Sequence, residues 1–186
     1  MNQLFSFLSL AKEENENLLV VDGIEDIICV KTLQQIVENI ADNRLIVFNS
    51  EGKFSLHDIV DRIVKKQEKV CDIYFTTYGL SEPSVRKLAN LKFQKKVDRI
   101  FTLLDARIRQ RQPNAFQLIS SIATKIGYEE SHAKITVIEN PDIAITILGS
   151  QNWTRNTKHE AGAVICSRKT AHFYSEYILK LINDYS

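Results

Sequence analysis

A mixed β-sheet flanked by helices on both faces, an α/β fold, is predicted by three observations. The first two-thirds of the chain alternates short apolar runs with amphipathic helical segments. The last third sets three apolar runs in close succession. Glycine and proline number only 6 and 3 in 186 residues, so no linker divides the chain. Alternating β and α units make parallel strands covered by helices, whereas strands joined by short turns pair antiparallel. The sequence is therefore read as one domain over residues 1–186, long enough for a sizeable core.

The elements follow in order. Leu18–Val21 reads as a short strand. Thr32 to Ala41 reads as a helix, with Leu33, Ile36, Val37 and Ile40 on one face. Leu45–Phe48 is the next strand. Ser55 is an N-cap candidate, and Leu56, Ile59, Val60, Ile63 and Val64 form the apolar stripe of the helix behind it. Asp72–Thr77 is a strand. Ser81 caps a further helix with Pro83 in its first turn, where the missing N–H costs nothing. Arg99–Leu104 is a strand, and Pro113 opens a helix reaching about Ile126, with Gly127 placed to stop it. His132–Ile138, Ile143–Leu148 and Ala161–Cys166 are the three successive strands, the first two joined by a Pro141-Asp142 turn. A last helix runs from about Lys169 to Asn183, with Phe173, Tyr177, Ile178 and Leu181 expected to face inward.

Net charge is +1, but the charges are unevenly placed. Residues 1–61 carry 11 acidic and 4 basic side chains, and residues 86–111 carry 9 basic and 2 acidic. A local basic stripe binds phosphates even in a neutral chain; the plainer alternative is a solvated helix face. Cys29, Cys71 and Cys166 are odd in number and form no C-x-x-C pair, which argues against a zinc ribbon or a disulfide framework. Reduced thiols in the cytoplasm are the expectation. No apolar run approaches membrane-spanning length, and Leu4 to Ala11, followed by Glu13-Glu14-Asn15-Glu16, lacks the basic flank of a secretory signal. No stable membrane association is expected.

Chemistry concentrates in Ser131-His132-Ala133-Lys134 and Gly149-Ser150-Gln151-Asn152. In extended backbone, side chains at i and i+2 share a face, so His132 projects with Lys134 and Ser150 with Asn152. If the two strands pair, four groups converge: an imidazole, an ammonium, a hydroxyl and an amide. That set supplies a nucleophile or base, a fixed cation and neutral donors, and suits a phosphodiester better than a peptide or a metal. Other motifs fail. His159-Glu160 lacks the second histidine of H-E-x-x-H, Gly52-Lys53 lacks the upstream glycine of a P-loop because position 47 is Val47, and no G-x-S-x-G is present.

The pair of motifs in this order resembles the phospholipase D superfamily signature, H-x-K-x4-D followed by G-S-x-N. The continuation through Trp153, Arg155 and His159 to Glu160 is similar to that family, in which an acidic residue trails the G-S-x-N. Two features depart from the pattern. The aspartate position is Glu139, and there is one H-x-K motif rather than two. A single copy resembles the superfamily's endonucleases that complete one site across a homodimer axis.

The resemblance implies a phosphodiesterase, a nuclease, working through a phosphohistidine. His132 would attack phosphorus, its copy in the second subunit would protonate the leaving oxygen, and Lys134 and Asn152 would hold the non-bridging oxygens. Ser150 and Glu160 would orient the imidazole. No cofactor and no metal is called for. Arg107 and Arg109, two residues apart after a strand, are expected to grip backbone phosphates along with Arg155. Tyr78 and Trp153 are expected to stack on bases, with core or interface packing as the alternative for Trp153. The alternatives in other classes are a nucleic-acid-binding protein of the same fold with little turnover, and a phospholipid hydrolase.

Overall fold

The computed structural model describes residues 24–155 and 157–185. The Leu18–Val21 strand, the Leu4 to Ala11 segment and Asn156 lie outside the described residues. In chain order the elements are β1 (Asp26–Val30), α1 (Leu33–Glu38), β2 (Arg44–Asn49), α2 (Leu56–Lys66), β3 (Cys71–Thr77), α3 (Glu82–Phe93) and β4 (Val97–Asp105). They continue with α4 (Ile108–Arg111), α5 (Pro113–Ile122), β5 (Lys125–Glu129), β6 (Ile135–Glu139), β7 (Ala144–Gly149), β8 (Ala161–Cys166) and α6 (Arg168–Asp184). All eight strands form one mixed sheet in the order β1-β2-β8-β7-β6-β3-β4-β5. The β1/β2, β3/β4 and β4/β5 pairs are parallel. The late strands β6, β7 and β8 fill the middle antiparallel to their neighbours.

Helices cover both faces unequally. Helices α1 to α5 pack on one face, over a core that includes Ile36, Ile46, Ile59, Ile63, Phe75, Leu88, Ile100 and Trp153. Each such side chain fully buried contributes roughly 1.5–3 kcal/mol. The stripe predicted for α2 is the one buried, and its Ser55/Asp58 capping box satisfies backbone donors that the first turn leaves open. Among the described residues, helix α6 covers the other face, over Tyr74, Leu103, Ile135 and Val137.

Three expectations are corrected here. Strand β1 is an addition to the predicted elements; its Ile27-Ile28-Cys29-Val30 core sits beside Glu25 and Asp26 at a sheet edge, where alternation is weak. The helix after Pro113 ends at Ile122, and Gly127 lies inside the edge strand β5 rather than at a helix end. Its glycine serves a close approach: a Cβ there would stand 2.8 Å from Ile182 Cα and 3.0 Å from Leu103 Cδ1. In α6 the buried ridge is Ala171, Ser175, Ile178 and Ile182, while Phe173 and Tyr177 are exposed. The small residues on that ridge let the helix axis come near the sheet, and the aromatic positions one step round the helix turn outward.

Gly127→Ala is therefore expected to destabilise the fold by about 1–3 kcal/mol, since backbone of α6 and not a side-chain tip must yield. Denaturant unfolding measures it; an unchanged midpoint would contradict this account of the α6 contact.

Candidate active site

The chemistry-bearing residues gather where the parallel strands β3 and β4 end and the antiparallel insert begins. Ligands of open α/β sheets bind at such strand ends, beside a change in strand order. His132 and Lys134 precede β6, which begins at Ile135, rather than lying within the strand. Thr76 of β3 anchors that backbone: its hydroxyl donates to Ala133 O at 2.9 Å and accepts from Ile135 N at 3.2 Å. Both side chains project together, as their spacing predicts. Lys134 Nζ lies 3.0 Å from His132 Nδ1 and donates to His132 O at 2.9 Å. Partial burial pulls the Lys134 ammonium below its ordinary pKa, and the Glu160 carboxylate partly opposes that fall.

Ser150 and Asn152 follow β7, which pairs with β6 so that Leu148 stands opposite Ile135. The Ser150 hydroxyl donates to the Glu160 carboxylate. Asn152 lies beside Thr77, with 3.4 Å between its Oδ1 and the threonine hydroxyl. Backbone bonds from Ser150 N to Ala161 O (3.0 Å) and from Ser50 N to Glu160 O (2.8 Å) hold Glu160 at the same sheet edge. Glu139 stands at the far end of β6, four residues and ~13 Å down the strand, where it hydrogen-bonds Tyr74. Burial, with that neighbouring carboxylate, raises the Tyr74 phenol well above its usual range.

Tyr78 stands against His132, with ring centroids 4.8 Å apart. Arg107 and Arg111 lie over the same tyrosine ring at 5.2 and 5.1 Å, and Arg111 Nη1 donates to Tyr78 Oη at 2.7 Å. Arg107 also grips the buried Asp105 carboxylate through Nε at 2.9 Å and Nη2 at 2.8 Å. That pairing holds Asp105 below the usual carboxylate range and raises the guanidinium.

The structure does not bring all the expected residues together. Arg107 caps the short helix α4, so side chains two apart diverge. Arg109 lies over Phe116 and Tyr128 at 5.1 and 5.9 Å, away from Tyr78. Arg111, four positions on from Arg107, takes the place expected of Arg109. A helix reading of Ala106–Gln112 would have found it from the i, i+4 spacing. Trp153 is buried, stacked on Phe75 at 4.4 Å with Nε1 bonded to Thr136 Oγ1 at 3.2 Å, so it is a core residue and not a base-stacking surface. Arg155 is exposed.

The basic run 86–111 is also divided. Arg86, Lys87 and Arg99 pair with Glu82, Asp58 and Asp72. Lys92, Lys95 and Arg99 gather at the N-terminal end of β4, the end of the sheet opposite Arg107 and Arg111. Among the described residues, no three His, Cys, Asp or Glu side chains are grouped to hold a metal ion. No helix among them is long and apolar enough to cross a membrane.

No family model and no curated protein matches this chain. Solved structures do, and what they share with this chain is the fold, that of phospholipase D-like nucleases. The chain is similar to Nuc from Salmonella typhimurium, described as a phospholipase D family member, at 17% identity and a TM-score of 0.58, with 76% of this chain and 95% of that one covered. It is similar to NucT from Helicobacter pylori at 12% identity and TM-score 0.58, covering 75% and 96%. TrmBL2, an archaeal chromatin protein with a DNA-binding mode, matches at 8% identity and TM-score 0.55, over 83% of this chain and 57% of its own. Identity this low establishes fold.

Proposed function

We propose that the protein is a metal-independent phosphodiesterase, a nuclease, acting through a phosphohistidine in a site shared by two copies of the chain. The observation that carries this reading is the His132–Lys134 pair beside Asn152 and the Ser150–Glu160 pair, at the strand ends of a phospholipase D fold. A phosphodiester is an anion whose uncatalysed hydrolysis is slow. Dividing the reaction through a covalent intermediate lowers each barrier. A phosphate oxygen attracts an ammonium more strongly than a neutral imidazole does. Substrate therefore draws Lys134 off His132 Nδ1 and onto a non-bridging oxygen, which frees the ring for attack. The bond from imidazole nitrogen to phosphorus forms as the bond to the leaving oxygen breaks. The partner's His132 gives its proton to that oxygen, then takes one from the water that cleaves the intermediate.

Charge stabilisation comes from protein cations in this scheme, so hydrolysis of a simple aryl phosphodiester is expected to persist in chelator. Loss of turnover in chelator with recovery on adding magnesium or zinc would overturn it.

Nucleic acid is the proposed substrate because Tyr78, Arg107 and Arg111 offer a flat ring and two guanidinium groups next to His132. Arg111→Ala is expected to weaken nucleic-acid binding and to flatten its salt dependence by about one unit of slope, more than Arg109→Ala does. Binding titrations across salt concentrations check the order of the two variants. The likeness to TrmBL2 supports a second reading, a DNA-binding protein of the same fold without turnover. Binding without hydrolysis of any phosphodiester would favour that reading.

A further inference from the structure

A cavity of about 340 Å³ is lined by Lys53, His57, Asp58, Lys87 and Arg155 among others. Three cations from three separate parts of the chain meet there: the loop after β2, helix α3 and the segment that follows Asn152. Asp58 is the one carboxylate in the lining. Burial raises its carboxyl, but the Lys87 ammonium and the Ser55 N–H outweigh burial, so it stays ionised and engaged by both. Lys53 is paired with Glu51 at 2.6 Å, so the lining keeps the Arg155 guanidinium beside two lysines that a phosphate can draw from their carboxylates.

Two further features mark the cavity as built. His57 is buried, and its Nδ1 has no hydrogen-bond partner among the described residues. A buried polar atom left unsatisfied is a cost that a ligand removes. Burial also keeps the imidazole neutral to lower pH than usual, leaving the ring one acceptor and one donor. The wall opposite depends on Gly52, whose φ is +71° and whose missing Cβ would stand 2.2 Å from Thr157 O. Only glycine lets residue 52 come this close to the Thr157 backbone.

The chain around the cavity is tied by hydrogen bonds to residues next to the proposed catalytic centre. Ser50 bonds both backbone groups of Glu160, and Gln151 Nε2 donates to Phe54 O at 3.3 Å. The cavity is thereby linked to Gln151, between Ser150 and Asn152, and to Glu160. We infer that the cavity is a second phosphate subsite, which takes a backbone phosphate of the strand whose scissile phosphate lies at His132; it rests on the nuclease reading. Lys53 and Arg155 reach the phosphate oxygens by charge-assisted hydrogen bonds, with Lys87 shared between Asp58 and the ligand.

The test uses inorganic phosphate as probe and ring resonances of His57 and His132 as separate reporters in the full chain. Inorganic phosphate is expected to shift the His57 resonances saturably. The double variant Lys53→Gln, Arg155→Gln is expected to weaken that titration about tenfold with no matching change at His132. Both side chains are at the surface, and circular dichroism controls for folding. The second arm compares kcat/KM for an oligonucleotide with that for an aryl phosphodiester, which fills the catalytic centre alone. The ratio is expected to fall about tenfold in the double variant. No saturable shift at His57, or a shift the double variant leaves intact, overturns the subsite. A titrating His57 with an unchanged ratio overturns the backbone phosphate as its occupant. If the wild type hydrolyses neither substrate, the nuclease reading fails while the His57 titration still decides the cavity.

Discussion

His132→Ala is expected to abolish turnover while leaving stability within about 0.5 kcal/mol of the wild type, because the side chain is exposed and replaces no core packing. Among the described residues, the aromatic ring against His132 is that of Tyr78, not a second imidazole. Of the other three histidines, His57 is buried at the first turn of α2, His172 lies on α6, and His159 immediately precedes Glu160 in the chain. Lys134→Ala is expected to lower kcat by about 10²–10³, the range for removing one fixed donor from a developing oxyanion. The aryl phosphodiester assay with unfolding controls measures both variants. Near-normal turnover in either would place the reacting group elsewhere.

The second large effect concerns assembly. Attack and protonation occur on opposite sides of phosphorus, and one imidazole cannot serve both. A two-fold axis supplies the same residue twice at one point. Wild-type and His132→Ala chains, mixed and refolded, are therefore expected to form heterodimers with little turnover, so that activity falls with the square of the wild-type fraction. A linear fall would show that each chain works alone. Sedimentation at assay concentration gives the independent reading, and a fully active monomer would hand the second proton transfer to another side chain, His159 first among them.

The outcome at the basic run shows where reading by composition stops. Nine cations within residues 86–111 look continuous in the chain. Helix α3 runs back along the sheet, however, so its C-terminal lysines and Arg99 arrive at the end remote from His132. Of this run, Arg107 and Arg111, which follow β4, stand against Tyr78 beside His132. Arg109 and Arg111 are two positions apart, yet a single helical turn sends one over Phe116 and the other onto Tyr78. Periodicity decided their direction, and the sequence around Arg107 carries no strong signal for a four-residue helix.

Determined by the sequence alone were the alternating βα lead-in, the caps at Ser55 and Ser81, the buried stripe of α2 and the side-by-side projection of His132 and Lys134. Each depends on contacts within a few residues, where the helical and extended repeats dictate geometry. Tertiary structure decided what depends on distant partners. It placed Trp153 in the core against Phe75, and it set Glu139 against Tyr74 away from the site. It required Gly127 within a strand because the α6 backbone crosses there. It also gathered Lys53, His57, Lys87 and Arg155 into one cavity, from segments up to about a hundred residues apart in the chain. The physical reason is the insertion of β6, β7 and β8 into the middle of the sheet: pairing between remote segments is set by how two faces are buried at once, and no local pattern encodes it.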